Sequence, residues 1–241
     1  MSLNRLDKLI ALNCNVSRKE ARELVKSGQV KVNGKTVLRS EELIDTSLDR
    51  VEINGHDFIS KDHIYIMMNK PAGVITATKD EHKQTVMDLI PGALTRRSLF
   101  PCGRLDRNTT GLLIITDDGE FCHRIVSPNH HVYKTYIARL TRPLDEKSIK
   151  QLESGVTLTD GSECLPAKVK NLSDDYTYKA QIKIREGKYH QVKRMFIAVG
   201  NHVDSLERIA IGSLKLDGAL APGECREMTD EELGLLFEDD G

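Results

Sequence analysis

Residues 103–119 read GRLDRNTTGLLIITDDG, and this stretch decides the fold of the larger part of the chain. Leu112–Ile115 is a short apolar run bounded by Gly111 and by the turn Thr116-Asp117-Asp118-Gly119, which is the signature of a buried strand. Asp106 stands in the loop ahead of it, between Arg104 and Arg107. Flanking positive charge favours the ionised carboxyl, and a loop feeding a buried strand places it at a sheet edge. A turn acid in an Asx motif, or a structural ion pair, would use the same residues.

Working outward, YIMMNKP (65–71), YKTYIARL (133–140), YKAQIKIREG (178–187) and GSLKLDG (212–218) are further apolar or alternating runs closed by Gly, Pro, Asn or Asp. Helices fall between them. Asp145 caps one that ends at Gly155, and Gln191–Val199 forms another with Val192, Phe196 and Val199 on one face before Gly200. Strands and helices do not alternate strictly, so the expected class is α+β, with a mixed, largely antiparallel sheet flanked by helices. Neither GxGxxG nor GxxxxGKS/T occurs, so no nucleotide cofactor is expected.

The N-terminal segment reads helix, helix, hairpin. Asn4 is the expected cap of a helix with Leu6, Leu9 and Ile10 on one face. Ser17 and Glu20 have capping-box spacing for a second helix, which Gly28 ends. Val30 and Val32 then precede Asn33-Gly34, the dipeptide best suited to a two-residue hairpin turn. Asp49–Ile53 reads as a further strand and Gly55–His63 as a linker, which puts the domains at 1–60 and 64–241. At the other end, Thr229 and Glu232 have capping-box spacing ahead of Leu233, Leu235 and Leu236, predicting a docked terminal helix, with Glu238–Gly241 frayed.

With 241 residues and 39% apolar content the chain can bury a real core, which excludes disordered and miniprotein classes. Its net charge of -1 is an average: residues 1–40 carry +6, residues 217–241 carry -8, and the rest +1. No apolar run reaches about 18 residues and the N-terminus lacks a signal-peptide pattern, so a soluble cytoplasmic protein without a membrane partner is expected. The five cysteines are at least 20 positions apart, which excludes CxxC pairs, and they are expected to be reduced and mostly buried. His130 and His131, with His123 nearby, offer no metal-ligand spacing, because adjacent strand residues point to opposite faces, and no metal is expected.

Two resemblances sharpen this reading. RLDKLI with SRKEARELVKSGQVKVNGK resembles an S4 RNA-binding domain, of the αL type. The resemblance implies that the basic helix, with Arg18, Lys19, Arg22 and Lys26, lies against RNA phosphates together with Arg5 and Lys31. GRLDRNTTGLLIITDDG is similar to the GRLDxxTxGLLLxTxDG motif of pseudouridine synthases, and NKPAGVITAT, HRIVSPNHHVYKTYIARL and GKYHQVKRMFIAVGNHV follow the same family's order. TTGL, SPNHH and YHQVKRMF resemble most closely the members of the S4-domain family that act on the small ribosomal subunit.

What this implies is isomerisation of uridine to pseudouridine in 16S rRNA, at uridine 516, with 16S rRNA or a small-subunit assembly intermediate as partner, no cofactor, and a monomeric enzyme. Asp106 matches the essential Asp, as nucleophile at C1′ or base at C2′. Tyr136 matches the active-site tyrosine, and Lys193 the basic partner of the Asp, with Arg194 as its competitor one position on. Arg104 matches the residue that fills the space of the everted nucleotide; Arg107, His190, Gln191 and Arg194 are expected against RNA, and Lys179, Lys183, Arg185 and Lys188 along an RNA groove. The rival readings are a single-site synthase for 23S rRNA and a noncatalytic RNA-binding assembly factor.

Overall fold

The structure is a computed structural model that describes residues 3–46, 48–58, 61–95, 98–127 and 132–238. It divides into two compact units, Met1–Ile64 with Gly92–Leu99, and Tyr65–Pro91 with Phe100–Gly241. The inclusion of Gly92–Leu99 in the first unit is a grouping that reading the chain in order does not foresee.

The first unit runs β1 (Leu3–Arg5), α1 (Leu6–Asn13), α2 (Arg18–Lys26), β2 (Val30–Val32), β3 (Lys35–Thr36), β4 (Leu43–Asp45), β5 (Val51–Ile53) and β6 (His56–Phe58). Leu6, Leu9 and Ile10 of α1 close on Ala21 and Val25 of α2 and on Val30 and Val51, giving it a core of its own. The Ser17/Glu20 capping box forms: Glu20 N donates to Ser17 Oγ at 3.1 Å and Ser17 N to Glu20 Oε2 at 2.6 Å. Two expectations fail here. Asn4 does not cap α1; it lies in β1, opposite Ile44 of β4, and Arg5, one residue on, takes the N-cap position without a side-chain cap. Nor is Gly55–His63 simply a linker. Asn54 (φ 52°) and Gly55 (φ 78°) repeat the turn made by Asn33 (φ 50°) and Gly34 (φ 77°), so a second hairpin completes an antiparallel sheet ordered β3-β2-β5-β6.

The second unit contains β7 (Tyr65–Lys70), β8 (Phe100–Pro101), β9 (Thr109–Thr116), α3 (Gly119–Val126), β10 (Lys134–Leu140), α4 (Glu146–Ser154), β11 (Lys168–Asn171), β12 (Lys179–Ile184), α5 (Gln191–Ala198), β13 (Val203–Ile211), β14 (Leu214–Lys215), β15 (Cys225–Glu227) and α6 (Asp230–Leu235). Its sheet is ordered β11-β12-β10-β13-β9-β7-β15, with β14 beside β13 and β8 beside β9. Every pairing is antiparallel except β13 with β9, so the α+β expectation of a mixed, largely antiparallel sheet holds. Leu112–Ile115 is fully buried, as a continuous apolar run on a central strand must be.

β13 is the longest strand, yet VDSLERIAI gives no clear strand signal. Leu206 and Arg208 are buried inward positions, a register shift at Ile209 moves the alternation so that Ile211 rejoins Arg208, and an arginine in an inward slot breaks the apolar pattern. The cysteines differ as well: Cys102 and Cys164 are buried, but Cys14 is exposed and Cys122 and Cys225 are half-buried, all of them free. α6 carries the expected capping box, Leu236 behind it is buried, and Arg226 pairs with Asp217 at 2.7 Å and Glu232 at 2.7 Å, which offsets part of the acidic tail. The frayed end expected at Glu238–Gly241 lies, from 239 on, outside the described residues, as do His130 and His131.

Gly111 is where β9 meets β13 most closely. Its φ is 95°, and a Cβ there would stand 2.3 Å from the Arg208 carbonyl oxygen. Gly34 also has a positive φ, but a Cβ there meets nothing within 4 Å. Gly111→Ala should therefore cost about 3 kcal/mol or more, and Gly34→Ala only about 1–2 kcal/mol, in urea unfolding at unchanged m-value. Equal costs would refute the close approach.

Candidate active site

Asp106 lies in the loop between β8 and β9, and that loop is held from beneath by the chain leaving β7. Lys70, at 0% exposure, donates from Nζ to the carbonyls of Pro71 (2.9 Å), Arg107 (3.2 Å) and Thr109 (3.0 Å). Arg107 Nε donates to Gly73 O, and Gly73 N to Arg107 O, each at 2.9 Å. Thr76 Oγ1 donates to Leu105 O at 2.9 Å and receives Leu105 N at 3.2 Å. The residues on both sides of Asp106 are thus fixed through their backbone. Burial pushes the Lys70 ammonium down to about 8, the Asp106 charge pulls it back up, and Lys193 lowers it further.

The carboxylate itself meets α5. Lys193 Nζ stands 3.2 Å from Asp106 Oδ2, and His190 Nε2 is 3.5 Å from Oδ1. His190 is the N-cap of α5 with a left-handed φ of 48°. Arg194 turns elsewhere, to Asp160 Oδ2 at 2.5 Å, so of the two adjacent basic residues Lys193 is the one beside Asp106. Tyr136 of β10 is buried and shares with Asp106, Ile184, Val192 and Leu206 a cavity of about 70 Å³; Arg104 lines it from an exposed position. A second cavity of about 290 Å³ touches Tyr136 together with Arg104, Lys134 and Arg208.

Other expected residues are placed differently. Gln191 is buried and braces the turn, donating to Glu186 Oε1 at 2.6 Å and accepting Lys188 N at 2.8 Å, while also lining the Asp106 cavity. The groove expected along Lys179, Lys183, Arg185 and Lys188 divides. Ile184 lines the Asp106 cavity, so its strand neighbour Lys183 points away and lines a cavity on the other face of the sheet. Lys188 remains at the site with His190.

In the first unit, Arg5, Arg18 and Arg22 converge on the buried carboxylate of Asp7. Arg5 donates twice at 3.1 Å, Arg18 at 2.9 Å and Arg22 at 3.0 Å, while about half of each arginine side chain stays exposed. Burial alone would raise the Asp7 pKa, but the three guanidiniums hold it well below the usual carboxylate range. Three cations on one anion leave a preorganised positive surface, which the exposed Lys19, Lys26 and Lys31 extend.

Lys70, Thr76, Lys134 and Arg208 were not singled out in the sequence. All are buried; Lys134 Nζ donates to Ile125 O at 2.9 Å, Arg208 Nε to Leu112 O at 2.8 Å, and burial foremost pushes Lys134 down to about 8. The signal that could have found Lys70, Lys134 and Arg208 is a basic residue in an inward strand position.

The site thus joins a carboxylate, an ammonium and a buried tyrosine, in a chain whose first unit exposes a cluster of arginines. Residues 64–198 match the family described as RNA pseudouridylate synthase, and residues 4–47 match the S4 domain. The chain is 45% identical to an uncharacterized RNA pseudouridine synthase, YtzG, of Bacillus subtilis (97% of this chain, 98% of that one). It is 40% identical to ribosomal small subunit pseudouridine synthase A of Vibrio cholerae (97% and 99%), and 38% to ribosomal large subunit pseudouridine synthase B of Bacillus subtilis (97% and 96%). A crystal structure of a pseudouridylate synthase is similar with a TM-score of 0.67 and 37% identity, over 96% of this chain and 99% of that one. The chain belongs to the RNA pseudouridylate synthase family.

Two outcomes follow from the site's geometry. Lys193→Gln should lower kcat about 10- to 1000-fold, whereas Arg194→Gln, whose charge is taken up by Asp160, should keep kcat within about threefold; the reverse order would reassign the partner. Asp7 has a depressed folded pKa, so its stabilising contribution is complete above the unfolded value of about 4 and is lost as pH falls below it. Asp7→Asn should flatten the acid limb of urea-unfolding stability between about pH 5 and 2; an unchanged slope would contradict it.

Proposed function

We propose that this enzyme isomerises one uridine of 16S rRNA, at the position numbered 516, in free RNA or in a small-subunit assembly intermediate. The observation that carries the reading is the Asp106 carboxylate held 3.2 Å from Lys193 in the cavity that Tyr136 lines. Isomerisation breaks the bond from C1′ to N1, turns the uracil, forms the bond from C1′ to C5, and moves the C5 proton off the ring while N1 gains one. Electrons balance without an oxidant or reductant, so the step asks only for a carboxylate at the sugar, as nucleophile at C1′ or base at C2′. Asp106 is that carboxylate; Lys193 balances its charge, and Tyr136 gives the uracil a face to lie on.

The cavity of about 70 Å³ holds about two waters at liquid density, so a base entering it must widen it. The target also has to leave its stack, at a cost of a few kcal/mol. Arg104, exposed at the cavity rim, fills the vacated place and offsets part of that cost. The S4 unit holds the rRNA through phosphate contacts from Arg5, Arg18, Lys19, Arg22, Lys26 and Lys31, and Arg107 adds to the grip at the site. Among the described residues no helix is long and apolar enough to cross a membrane. We further propose that the enzyme meets its rRNA in the cytoplasm and acts as a monomer.

Similarity of 38% to a large-subunit synthase supports a second target, a single uridine of 23S rRNA. Carbodiimide-based mapping of both rRNAs from cells with and without the protein separates the two. Loss of one pseudouridine in 16S rRNA is expected; loss confined to 23S rRNA would transfer the enzyme to the large subunit, and no loss in either would remove the rRNA reading. Lys19→Glu with Lys26→Glu should weaken RNA binding at low salt and reduce the salt slope by about two. An unchanged slope would show that the helix is not the grip.

A further inference from the structure

The rim of the site carries one aromatic ring that neither the core nor the reaction uses. Tyr189, in the turn ahead of α5, is 76% exposed, although an aromatic ring gains free energy by burial. One of its faces is occupied: the Tyr189 and His190 rings are stacked, with centroids 3.9 Å apart and planes inclined by 16°. His190 in turn stands 3.5 Å from Asp106, in a fixed left-handed conformation. The Tyr189 backbone is held as well, because its carbonyl accepts Arg194 Nη1 at 3.2 Å and Arg194 is tied to Asp160. A stack therefore begins beside the carboxylate, runs through two rings on an anchored turn, and ends in an open aromatic face.

We propose that this open face of Tyr189 is a stacking subsite for a nucleobase adjacent to the target uridine. The proposal rests on the RNA pseudouridine synthase reading above. When a nucleotide is everted, its neighbours lose a stacking partner, and a rigid aromatic face at the rim restores one. Every base has a π-face, so the ligand class is an unpaired nucleobase of any identity, and the contact contributes binding rather than chemistry. His190 Nε2 stands 3.5 Å from Asp106 Oδ1 and its ring lies 3.9 Å from that of Tyr189, so a base on the open face of Tyr189 continues a stack that begins at the carboxylate.

The chain contains no tryptophan, so Tyr189→Trp introduces a single fluorophore at the subsite. Its emission should be quenched by in vitro transcribed small-subunit rRNA and left unchanged by heparin, a polyanion without bases, with binding of each followed independently by anisotropy. Tyr189→Ala and Tyr189→Leu should raise KM for pseudouridine formation about 5- to 100-fold with kcat within about twofold, and Tyr189→Phe should match the wild type. Unquenched emission with RNA bound, or a Tyr189→Leu variant with wild-type KM, would overturn the proposal. So would a Tyr189→Ala defect in kcat and Tm together, the mark of a purely structural residue. Failure of the parent reading shows separately, as absence of pseudouridine from the wild-type reaction, since quenching is read without turnover.

Discussion

Lys70 carries a positive charge with no exposed surface, and its ammonium spends its three donors on the carbonyls of Pro71, Arg107 and Thr109. An ammonium taken out of water is tolerated only when its hydrogen bonds are replaced and a counter-charge is near. The carbonyls supply the first and Asp106 the second. Because two of those carbonyls belong to residues just after Asp106 in sequence, satisfying the buried charge also helps to fix where the carboxylate stands. The mixed sheet serves this arrangement: β7 brings Lys70, β9 brings the loop, and β10 brings Tyr136 to the same cavity.

Both units gather cations around a carboxylate, but they leave it differently exposed. In the second, Lys193 and His190 stand beside the Asp106 carboxylate and leave it partly open to the cavity. In the first, three arginines surround the buried carboxylate of Asp7, which no substrate can reach, and present their outer halves to solvent. Ordering long cationic side chains before a polyanion arrives removes part of the entropy that binding otherwise costs. On the proposed function, Asp7 would act on RNA affinity through the arginines, without touching RNA.

Much of this was legible in the sequence, for local reasons. The capping boxes at Ser17 and Thr229, the Asn33-Gly34 turn and the apolar run of β9 each need only a few neighbouring residues, and each forms. What was not legible depended on distant partners. β13 hides because Arg208 occupies an inward slot that only the Leu112 carbonyl, across the sheet, makes habitable. Lys183 reads as part of a groove with Lys188, but strand alternation sends it to the other face once Ile184 is known to line the cavity. Lys193 and Arg194 could not be ranked until Asp160 had claimed Arg194. Local chemistry fixes elements, whereas tertiary partners decide which charges meet.

The proposed reaction depends on the Asp106 carboxylate, and replacing it by its uncharged isostere keeps the side chain's shape while removing both nucleophile and base. The most direct measurement is single-turnover pseudouridine formation by Asp106→Asn on 16S rRNA, read by carbodiimide-blocked primer extension, alongside its RNA affinity. The account predicts RNA binding close to that of the wild type and no product. Pseudouridine formed by that variant at a rate near the wild type's would contradict it.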